Sequence, residues 1–517
     1  MDEAPSGWLP DRLETRPPRA STSVLISRQG VAGIEVLLCH RIETLRAFPN
    51  FWALPGGGVS ARDAKAAGML SSKFRNISPG MRPAAAALLR EVVEEIGWAV
   101  GEYGISISSQ EQRTTVLEES DGWLNAVKAE KLACDSSGLS HIATRTTPPF
   151  APLRFENVFW HLHISTIETE PILLEHRSEF DEVMWIEPAA AITAWRDDGL
   201  QLPPPIVTLL RDFDSALTAT NHDVVTAVSI LSKTPAIGSH RIEFAPGVEC
   251  VPLPTATLPP ATHTNCYILG EAGGQRIVVD PAAKSETALA ILEERILEVI
   301  GDGGEIIATV YTHRHSDHIG DLKRIAEIYQ APIWASQETL ELIPKCDSDR
   351  TLISGEELSL KGPYGEDIWQ VFSTPGHCPG HICLASERGV ISADLVSVVG
   401  TILVPSSDGD MQQYMDDLET IRSLRPVMLF PAHGPYTPNP DAILQRYIRH
   451  RSSRHERVLD AVRTGCSEVT EIAERAYSDT PDADMFLAAD QTISHLKSHE
   501  TARLVQRFGN QWRPHVE

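Results

Sequence analysis

Short apolar runs alternate with turn-forming residues in the first part of the chain and predict β-strands. Residues 20–29 and 34–40 are rich in Val, Ile and Leu, and Gly30 and Gly33 stand between them. Such runs separated by glycines are typical of neighbouring strands joined by a turn. The triplet 56–58 is all glycine, which permits backbone conformations closed to other residues. We therefore predict two strands, and the glycines break the strand pattern.

A helical pattern follows after an interruption of about twenty residues. The segment that begins at Ala84 is rich in alanine, leucine and glutamate, which favour helices, and it ends at Gly97, a residue typical of the position just past a helix.

In the later part of the chain, apolar runs end directly in histidine or aspartate. The first such run, 306–311, leads into the segment 313–318. Three later runs do the same: 369–372 leads to His377, 389–391 to Asp394, and 427–430 to His433. Short apolar runs bounded in this way are typical of buried strands. Because strands of one sheet can end at a common rim, we expect these polar side chains to converge there.

The tail shows a helix with two faces between Asp441 and Val462. At 3.6 residues per turn, one side is basic (Arg446, Arg449, His450, Arg454, Arg457) and the other apolar (Leu444, Ile448, Val458, Leu459, Val462). The basic side is interpreted either as a solvated or salt-bridged surface or as a surface that contacts substrate. A capping signal at Ser467 predicts a second helix, residues 486–498 a third, and 500–515 completes a small winged-helix-like unit.

Length, charge and cysteine usage narrow the class of protein. A chain of 517 residues is expected to form two or three domains. The net charge of −25 argues against binding to nucleic acid through overall attraction, but it leaves room for a local basic patch. The N-terminal segment 1–5 is acidic and lacks the apolar core of a signal peptide, and no apolar run approaches 18 residues, so we expect no membrane partner. Scattered cysteines predict reduced thiols and a cytoplasmic location; they are Cys39, Cys134, Cys250, Cys266, Cys346, Cys378, Cys383 and Cys466.

Three glutamates on the predicted helix suggest a cation site. Glu91, Glu94 and Glu95 are spaced i, i+3 and i+4, so their carboxylates share one face. Carboxylates crowded in this way repel one another unless a divalent cation lies between them, and oxygen ligands suit Mg²⁺ or Mn²⁺. A solvated acidic helix face is the alternative.

The segment Arg90-Glu91-Val92-Val93-Glu94-Glu95-Ile96-Gly97 resembles the second half of the Nudix hydrolase box. The resemblance covers about residues 18–215 and implies an α/β/α sandwich. It also implies that Glu94 and Glu95 hold Mg²⁺ or Mn²⁺, that Glu91 is a ligand or the catalytic base, and that Arg90 orients the glutamates. The first half of the box departs from the family, because Arg82 stands where the family has glutamate and residues 59–83 interrupt the motif.

Four further stretches are similar to the Nudix subgroup of coenzyme A diphosphatases, namely 147–155, 157–164, 185–188 and 202–205. This resemblance implies a small-molecule nucleotide substrate, such as coenzyme A or another nucleoside-diphosphate derivative.

The segment 313–318 holds the densest group of candidate metal ligands. His313, His315, Asp317 and His318 fall within six positions, and nitrogen and oxygen ligands of this kind suit zinc. Surface histidines of an ordinary loop are the alternative.

The motif His-x-His-x-Asp-His resembles that of the metallo-β-lactamase superfamily, and the resemblance implies an αββα sandwich with two zinc ions. His313, His315 and His377 would hold one zinc, Asp317, His318 and His433 the second, and Asp394 would bridge them. With Glu91 of the first domain, Asp317 is the candidate catalytic residue. His381 is open between orienting a ligand, contacting substrate and a structural role.

Residues 245–515, with their basic helix, resemble the lactamase-like endoribonuclease group, which implies single-stranded RNA as substrate and Arg449, Arg454 and Arg457 as possible substrate contacts. Similar proteins of the hydroxyacylglutathione hydrolase type cleave thioesters instead.

The expected fold class is therefore a multidomain chain of α/β and α+β type. We expect a Nudix domain over 18–215, a linker over 216–245, a metallo-β-lactamase domain over 246–438 and a helical unit over 439–517. The first functional hypothesis is a dinuclear zinc hydrolase fused to a Nudix hydrolase. The alternative is a thioesterase in which the Nudix portion only binds a ligand.

Overall fold

The computed structural model describes residues 17–515 apart from 46–47, 103, 120, 150, 152–153, 165–169, 175–177, 239–240, 345–348, 438 and 482. Cys346, the N-terminal segment and parts of the stretch 147–155 therefore lie outside the described residues. The chain divides into two compact units, one formed by Thr15–Phe244 and the other by Ala245–Glu517.

The first unit contains a mixed sheet. Its strands are β1 (Arg19–Gln29), β2 (Ile34–Arg41), β3 (Trp52–Ala53), β4 (Gly56–Gly58), β5 (Trp98–Gly101), β6 (Gly104–Ile107), β7 (Leu139–Thr146), β8 (Phe155–Ile164), β9 (Phe180–Ile186) and β10 (Ala236–Gly238). The sheet order is β10-β7-β8-β1-β2-β3, with β4 paired to β1 and β9 to β2, while β5 and β6 form a separate pair.

Helices cover both faces of this sheet. They are α1 (Ala61–Met69), α2 (Arg82–Ile96), α3 (Gln110–Glu118), α4 (Gly122–Lys128), α5 (Pro188–Arg196), α6 (Pro204–Ala219) and α7 (Val224–Lys233), with a 3₁₀ turn at Pro79–Met81. Alternate residues of β1 enter different cores: Val24 packs with α2 and Leu25 with α6. The first unit is thus an α/β/α sandwich, as expected.

The glycine triplet forms strand β4 instead of breaking the strand pattern, whereas Gly56 and the helix end adopt the backbone conformations expected of glycine. Gly56 adopts a φ of 149°, and a Cβ there would collide with the backbone of β1. Helix α2 ends at Gly97, which has a left-handed φ of 73°. The interruption 59–83 contains α1, whose first turn is closed by a reciprocal cap between Ser60 and Asp63.

Residues 216–245 do not form the expected linker. Helix α6 continues to Ala219, and α7 packs Val224 and Ala227 into the same core as Leu25. Strand β10 pairs in parallel with β7. The stretch up to Phe244 belongs to the first unit because one face of α7 is buried against its core, whereas Val225 and Ile230 on the other face are exposed. The Thr, Ser and Asp residues between the apolar ones obscure this helical spacing in the sequence.

The second unit contains two large sheets, apart from the short hairpin of its tail. The strands are β11 (Ile242–Ala245), in which the boundary between the units falls, β12 (Val248–Pro254), β13 (His263–Leu269), β14 (Gln275–Val279), β15 (Glu305–Tyr311), β16 (Ile333–Ala335), β17 (Arg350–Thr351), β18 (Glu357–Gly362), β19 (Gly365–Ser373), β20 (Ile382–Ser386), β21 (Gly389–Ala393) and β22 (Leu429–Pro431). From β12 onward, one sheet runs in sequence order to β17 and the other from β18 to β22.

A helical layer packs on each of these sheets. The helices are α8 (Glu286–Gly301), α9 (Ser316–Ile319), α10 (Leu322–Ile328), α11 (Gln337–Leu340) and α12 (Met411–Ser423). Leu292 of α8 packs with Val278 of the first sheet, and Leu418 of α12 packs with Val390 of the second.

The tail forms helices followed by a hairpin. They are α13 (Pro440–Arg463), α14 (Val469–Ala476), α15 (Met485–Thr501), β23 (Val505–Phe508) and β24 (Gln511–Pro514). Val458, Ile472, Leu496 and Trp512 join these elements in one small core. The helix predicted from Asp441 to Val462 is confirmed. None of the described helices is long and apolar enough to cross a lipid bilayer.

Candidate metal centres

The segment 313–318 lies at the end of β15, where the chain turns into the short helix α9. His313 and His315 stand before this helix, and Asp317 and His318 lie on it. The turn ends at Gly320, which has a φ of 68°, and a Cβ there would collide with the backbone of Ala282 and Ala283. A glycine is therefore needed to bring the ligands this close to the neighbouring strand end.

Three histidines form the first cluster. His315 Nδ1 lies 3.1 Å from His313 Nε2 and 3.0 Å from His377 Nε2. The three nitrogens thus converge on one point, as ligands of a single ion must. His377 reaches it from the loop that follows β19.

Asp317, His318 and His433 form the second cluster, with their ligand atoms within 4.8 Å of one another. Asp394, at the end of β21, lies between the two clusters. Its Oδ1 is 3.2 Å from His433 Nε2, and its Oδ2 is 3.5 Å from His377 Nε2. The two carboxylate oxygens therefore face different clusters, which is the placement that a bridging ligand requires.

These residues fit a pair of divalent ions. His318 Nε2 and Asp394 Oδ1 are buried and have no hydrogen-bond partner among the described residues, and a buried polar atom without a partner is costly. Burial lowers the pKa of His313 well below its ordinary value and that of His377 to about 3, so both imidazoles are neutral and keep a free lone pair.

The ligand rings are held by hydrogen bonds at their other nitrogen. His318 Nδ1 contacts Asp280 Oδ2 at 2.9 Å, His377 Nδ1 contacts the Leu403 carbonyl at 2.8 Å, and His433 Nδ1 contacts the His263 carbonyl at 3.0 Å. Such outer contacts fix the ring orientation and the tautomer. Asp280 was not among the predicted site residues, although it too follows directly on an apolar strand.

His381 does not contact the pocket. It is completely buried, its Nδ1 is 2.8 Å from Thr374 Oγ1, and its Nε2 accepts from the Asp394 amide at 3.2 Å. Of the roles considered for His381, substrate contact is wrong, because both ring nitrogens are engaged in holding the loop that carries Asp394.

Two arginines on the basic side of α13 are occupied by contacts within the tail. Arg454 is 4% exposed, donates to the Ala476 carbonyl and pairs with Asp479 at 2.9 Å. Arg457 donates to the same carbonyl at 2.7 Å. The two arginines cap the end of α14, so their predicted role as substrate contacts does not hold. Arg449 is exposed and touches Gln445.

A pocket opens above the two clusters. Its wall is mainly apolar and includes Leu258, Pro259, Val399, Ile402, Leu403 and Pro405. The floor carries His315, Asp317, His377, Asp394 and His433. No lysine or arginine lines the pocket within the described part of the chain.

In the first unit, Arg90 is the centre of the predicted glutamate cluster. It donates to Glu91 and to Glu94 at 2.9 Å each. Glu95 accepts from the Gly56 amide at 2.7 Å. A Cβ on Gly57 would collide with the Glu91 carboxylate, so the glycine triplet makes room for these side chains.

A further carboxylate, from Asp63 on α1, completes this cluster. Arg90 Nε lies 2.9 Å from Asp63 Oδ1, and the Asp63 side chain is completely buried. Arg82 instead donates to the Ile77 carbonyl. Arg82 thus lies outside the cluster, and the carboxylate that contacts Arg90 from the interruption 59–83 is Asp63. The sequence did contain a signal for Asp63: Ser60 and Asp63, just after the glycines, have the spacing of a helix N-terminal cap.

The glutamates are close enough to perturb one another. Burial outweighs the attraction of Arg90 and raises the pKa of Glu91 to about 7, and it raises the pKa of Glu94 and Glu95 as well. Buried carboxyls with raised pKa values are the groups that a divalent cation would stabilise in their charged form.

Comparison with known proteins agrees with this geometry in the second unit. Residues 259–433 match the model of the family described as "Metallo-beta-lactamase superfamily". The second unit has a metallo-β-lactamase fold, whose members are hydrolases, and this confirms the expected mixed, multidomain fold class.

Two relatives and one solved structure illustrate the similarity. A protein of Drosophila melanogaster named "Beta-lactamase-like protein 2 homolog" is 25% identical over 45% of this chain and 80% of its own length. An "Atrochrysone carboxyl ACP thioesterase" of Aspergillus fumigatus is 29% identical over 38% of this chain and 59% of its own. The structure of a "NUDIX hydrolase" from Alicyclobacillus acidocaldarius, 27% identical, covers 43% of this chain and 98% of that chain with a TM-score of 0.36.

Proposed function

We propose, from the premise that residues 259–433 form a metallo-β-lactamase domain, that this domain is a dinuclear zinc hydrolase acting on an ester-like bond next to an apolar group. The observation that carries the proposal is the convergence of seven ligand side chains below an apolar pocket. A thioester is the substrate class that fits this pocket best.

The residues of the two clusters divide the work of holding the metals. His313, His315 and His377 would hold one zinc, and Asp317, His318 and His433 the other, with Asp394 between them. Two zinc ions held by these residues would polarise a carbonyl and lower the pKa of water to about 7. Asp317, beside His433 at the pocket floor, is the candidate for accepting the proton of the attacking water.

The pocket wall favours an acyl group over RNA. Apolar side chains such as Leu258 and Ile402 offer an alkyl chain a dry surface, worth about 0.8 kcal/mol for each buried methylene. RNA needs cations near its phosphates. Arg314, which lies between His313 and His315 in the sequence, is already paired with Asp408 at 2.8 Å.

The test compares wild type with Asp394→Ala and, as a matched control, with Asp416→Ala on the exposed side of α12. We expect two zinc ions per wild-type chain by metal analysis. We also expect at least a ~1000-fold loss of thioester hydrolysis in Asp394→Ala and no loss in the control, because only Asp394 faces both clusters. One zinc or none in the wild type would overturn the dinuclear site.

The substrate class is tested with acyl-coenzyme A thioesters of increasing chain length. KM should fall by up to about fourfold for each added methylene until the pocket is full. Cleavage of single-stranded RNA that weakens with salt and with Arg449→Ala, with no thioester cleavage, would favour the RNA substrate instead.

A second candidate function belongs to the first unit. The Asp63–Arg90–Glu91–Glu94 cluster beneath the glycine triplet supports a Mg²⁺- or Mn²⁺-dependent hydrolase of a nucleoside-diphosphate derivative such as coenzyme A. Glu91 would act as ligand or base, while Glu94 and Glu95 would hold the metal. Coenzyme A would then suit both units, as a diphosphate in the first and as an acyl thioester in the second.

Glu94→Gln tests this candidate, with the exposed Glu111→Gln of α3 as control. Diphosphatase activity that requires Mg²⁺ should disappear in Glu94→Gln and persist in Glu111→Gln, because the amide cannot supply an anionic ligand. If the wild-type protein binds coenzyme A without hydrolysing it, the first unit is a binding module.

A further inference from the structure

The C-terminal helix α15 lies against the loop 401–408, which we call the pocket loop. This loop runs between β21 and α12, and Thr401, Ile402, Leu403 and Pro405 line the pocket. Its Leu403 carbonyl is also the partner of the ligand His377. The loop therefore has two tasks in the proposed function, which are to shape the pocket wall and to hold one ligand ring.

Gln491 of α15 binds the backbone of this loop at Val404. The Val404 amide donates to Gln491 Oε1 at 3.2 Å, and Gln491 Nε2 donates to the Val404 carbonyl at 2.7 Å. Ser494, one turn along the helix, donates to the same carbonyl at 2.7 Å. Val404 is completely buried and Gln491 is 6% exposed, so water cannot readily replace these bonds.

Neighbouring residues hold the loop on both sides of Val404. Arg451 of α13 donates to the Ile402 carbonyl and, at 3.0 Å, to Gln491 Oε1. Asp490 accepts from the Ser406 amide at 3.1 Å and from its hydroxyl at 2.6 Å. Lys497 donates to the Ser406 carbonyl at 2.6 Å.

We propose that Gln491 is a positioning residue for the hydrolytic site, fixing the pocket loop so that Leu403 orients His377 and the apolar wall keeps its shape. The proposal rests on the proposed function. A carboxamide can both accept from and donate to one backbone residue, whereas methionine and an ionised glutamate cannot do both. The tail thereby becomes part of the active site, although no ligand comes from it.

The test uses Gln491→Met, which keeps the volume and removes the hydrogen bonds, with Gln445→Met at a half-buried position of α13 as matched control. We expect the Val404 amide to exchange with deuterium at least ~10-fold faster in Gln491→Met. We also expect zinc binding, measured by competition with a chelator, to be about 10-fold weaker. This is the lower end of the range of affinity losses that follow removal of a hydrogen-bond partner of a metal ligand. KM for a long-chain thioester should rise several-fold, with a smaller change in kcat.

Two further variants separate positioning from general stability. Arg454→Ala destabilises the same tail without touching the pocket loop, so it should lower the melting temperature and leave zinc affinity unchanged. Asp490→Ala removes the bonds to Ser406 from a half-buried position and should weaken zinc binding even if Gln491→Met does not fold.

The proposal is overturned if Gln491→Met and Asp490→Ala speed exchange in the pocket loop but keep wild-type zinc affinity and KM. The proposal is also overturned if Arg454→Ala weakens zinc binding as much as Gln491→Met and Asp490→Ala do. A wild-type protein that binds no zinc contradicts the proposed function itself, and this is visible before any variant is made.

Discussion

Asp63 has two tasks in the first unit. Its carboxylate accepts from the Ser60 amide at 2.8 Å, which closes the first turn of α1, and it pairs with Arg90 across the cluster. The side chain is completely buried, so its charge depends on these partners. Removing one member of a buried pair leaves the other charge uncompensated, which costs about 3–5 kcal/mol.

We therefore predict that Asp63→Ala destabilises the first unit by about 3 kcal/mol, since Arg90 keeps its glutamate partners, and that it abolishes Mg²⁺-dependent hydrolysis. Asp63→Asn retains the cap and the volume, so it should lose less stability than Asp63→Ala. Its Mg²⁺-dependent hydrolysis should be abolished all the same. Denaturant unfolding and diphosphatase assays check both. Arg82→Ala is the control, and an activity loss there as large as in Asp63→Ala would contradict the assignment.

At the scale of elements, α13 and α15 are joined by histidines as well as by apolar residues. His455 Nδ1 lies 3.0 Å from His495 Nδ1, and the His455 and His499 rings stack at 3.6 Å. Burial, together with Arg451 and Arg454 beside His495, lowers the pKa of His495 well below its ordinary value. Burial and His499 lower the pKa of His455 to about 4.

The tail is therefore expected to lose stability in mild acid. These histidines are neutral in the folded protein, whereas an unfolded chain takes up protons below about pH 6.5. The stability that they contribute is present above that pH and is lost as pH falls toward 4. Thermal unfolding between pH 7 and 4.5 measures this loss, which His455→Gln should reduce. The exposed His222→Gln should leave the pH dependence unchanged, and equal slopes in all three proteins would contradict the prediction.

At the scale of the whole molecule, the two units offer different ligands to metals. The second unit presents imidazoles with two aspartates, which suit zinc, whereas the cluster of the first unit presents only carboxylates, which suit Mg²⁺ or Mn²⁺. The sites lie in separate compact units, so their chemistry is expected to be independent.

This independence predicts a clean separation by metal removal. A chelator selective for zinc over Mg²⁺ should abolish thioester hydrolysis and leave the Mg²⁺-dependent diphosphatase activity intact. Asp394→Ala should likewise abolish only the thioester hydrolysis. Glu94→Gln should abolish only the Mg²⁺-dependent diphosphatase activity. Parallel assays of both activities on the full chain measure this, and loss of both activities in either variant would show coupling between the sites.

The sequence by itself determined the parts of the protein whose members are close along the chain or share one pattern. The ligands from His313 to His318 lie within six consecutive positions. His377, Asp394 and His433 each follow an apolar strand, so the positions of the strand ends were enough to predict that these side chains converge. The helix from Arg82 to Ile96 and its shared glutamate face followed from composition and period in the same way.

Only the tertiary structure decided which distant partners complete these sites. Asp63 pairs with Arg90 across 27 residues of sequence, and Gln491 binds Val404 across 87. Arg454 had the spacing of a surface residue and proved to be buried, because the end of α14 packs on it. Local spacing fixes neighbours on one helix or strand, whereas burial and long-range pairing depend on how whole elements pack, which no short stretch encodes.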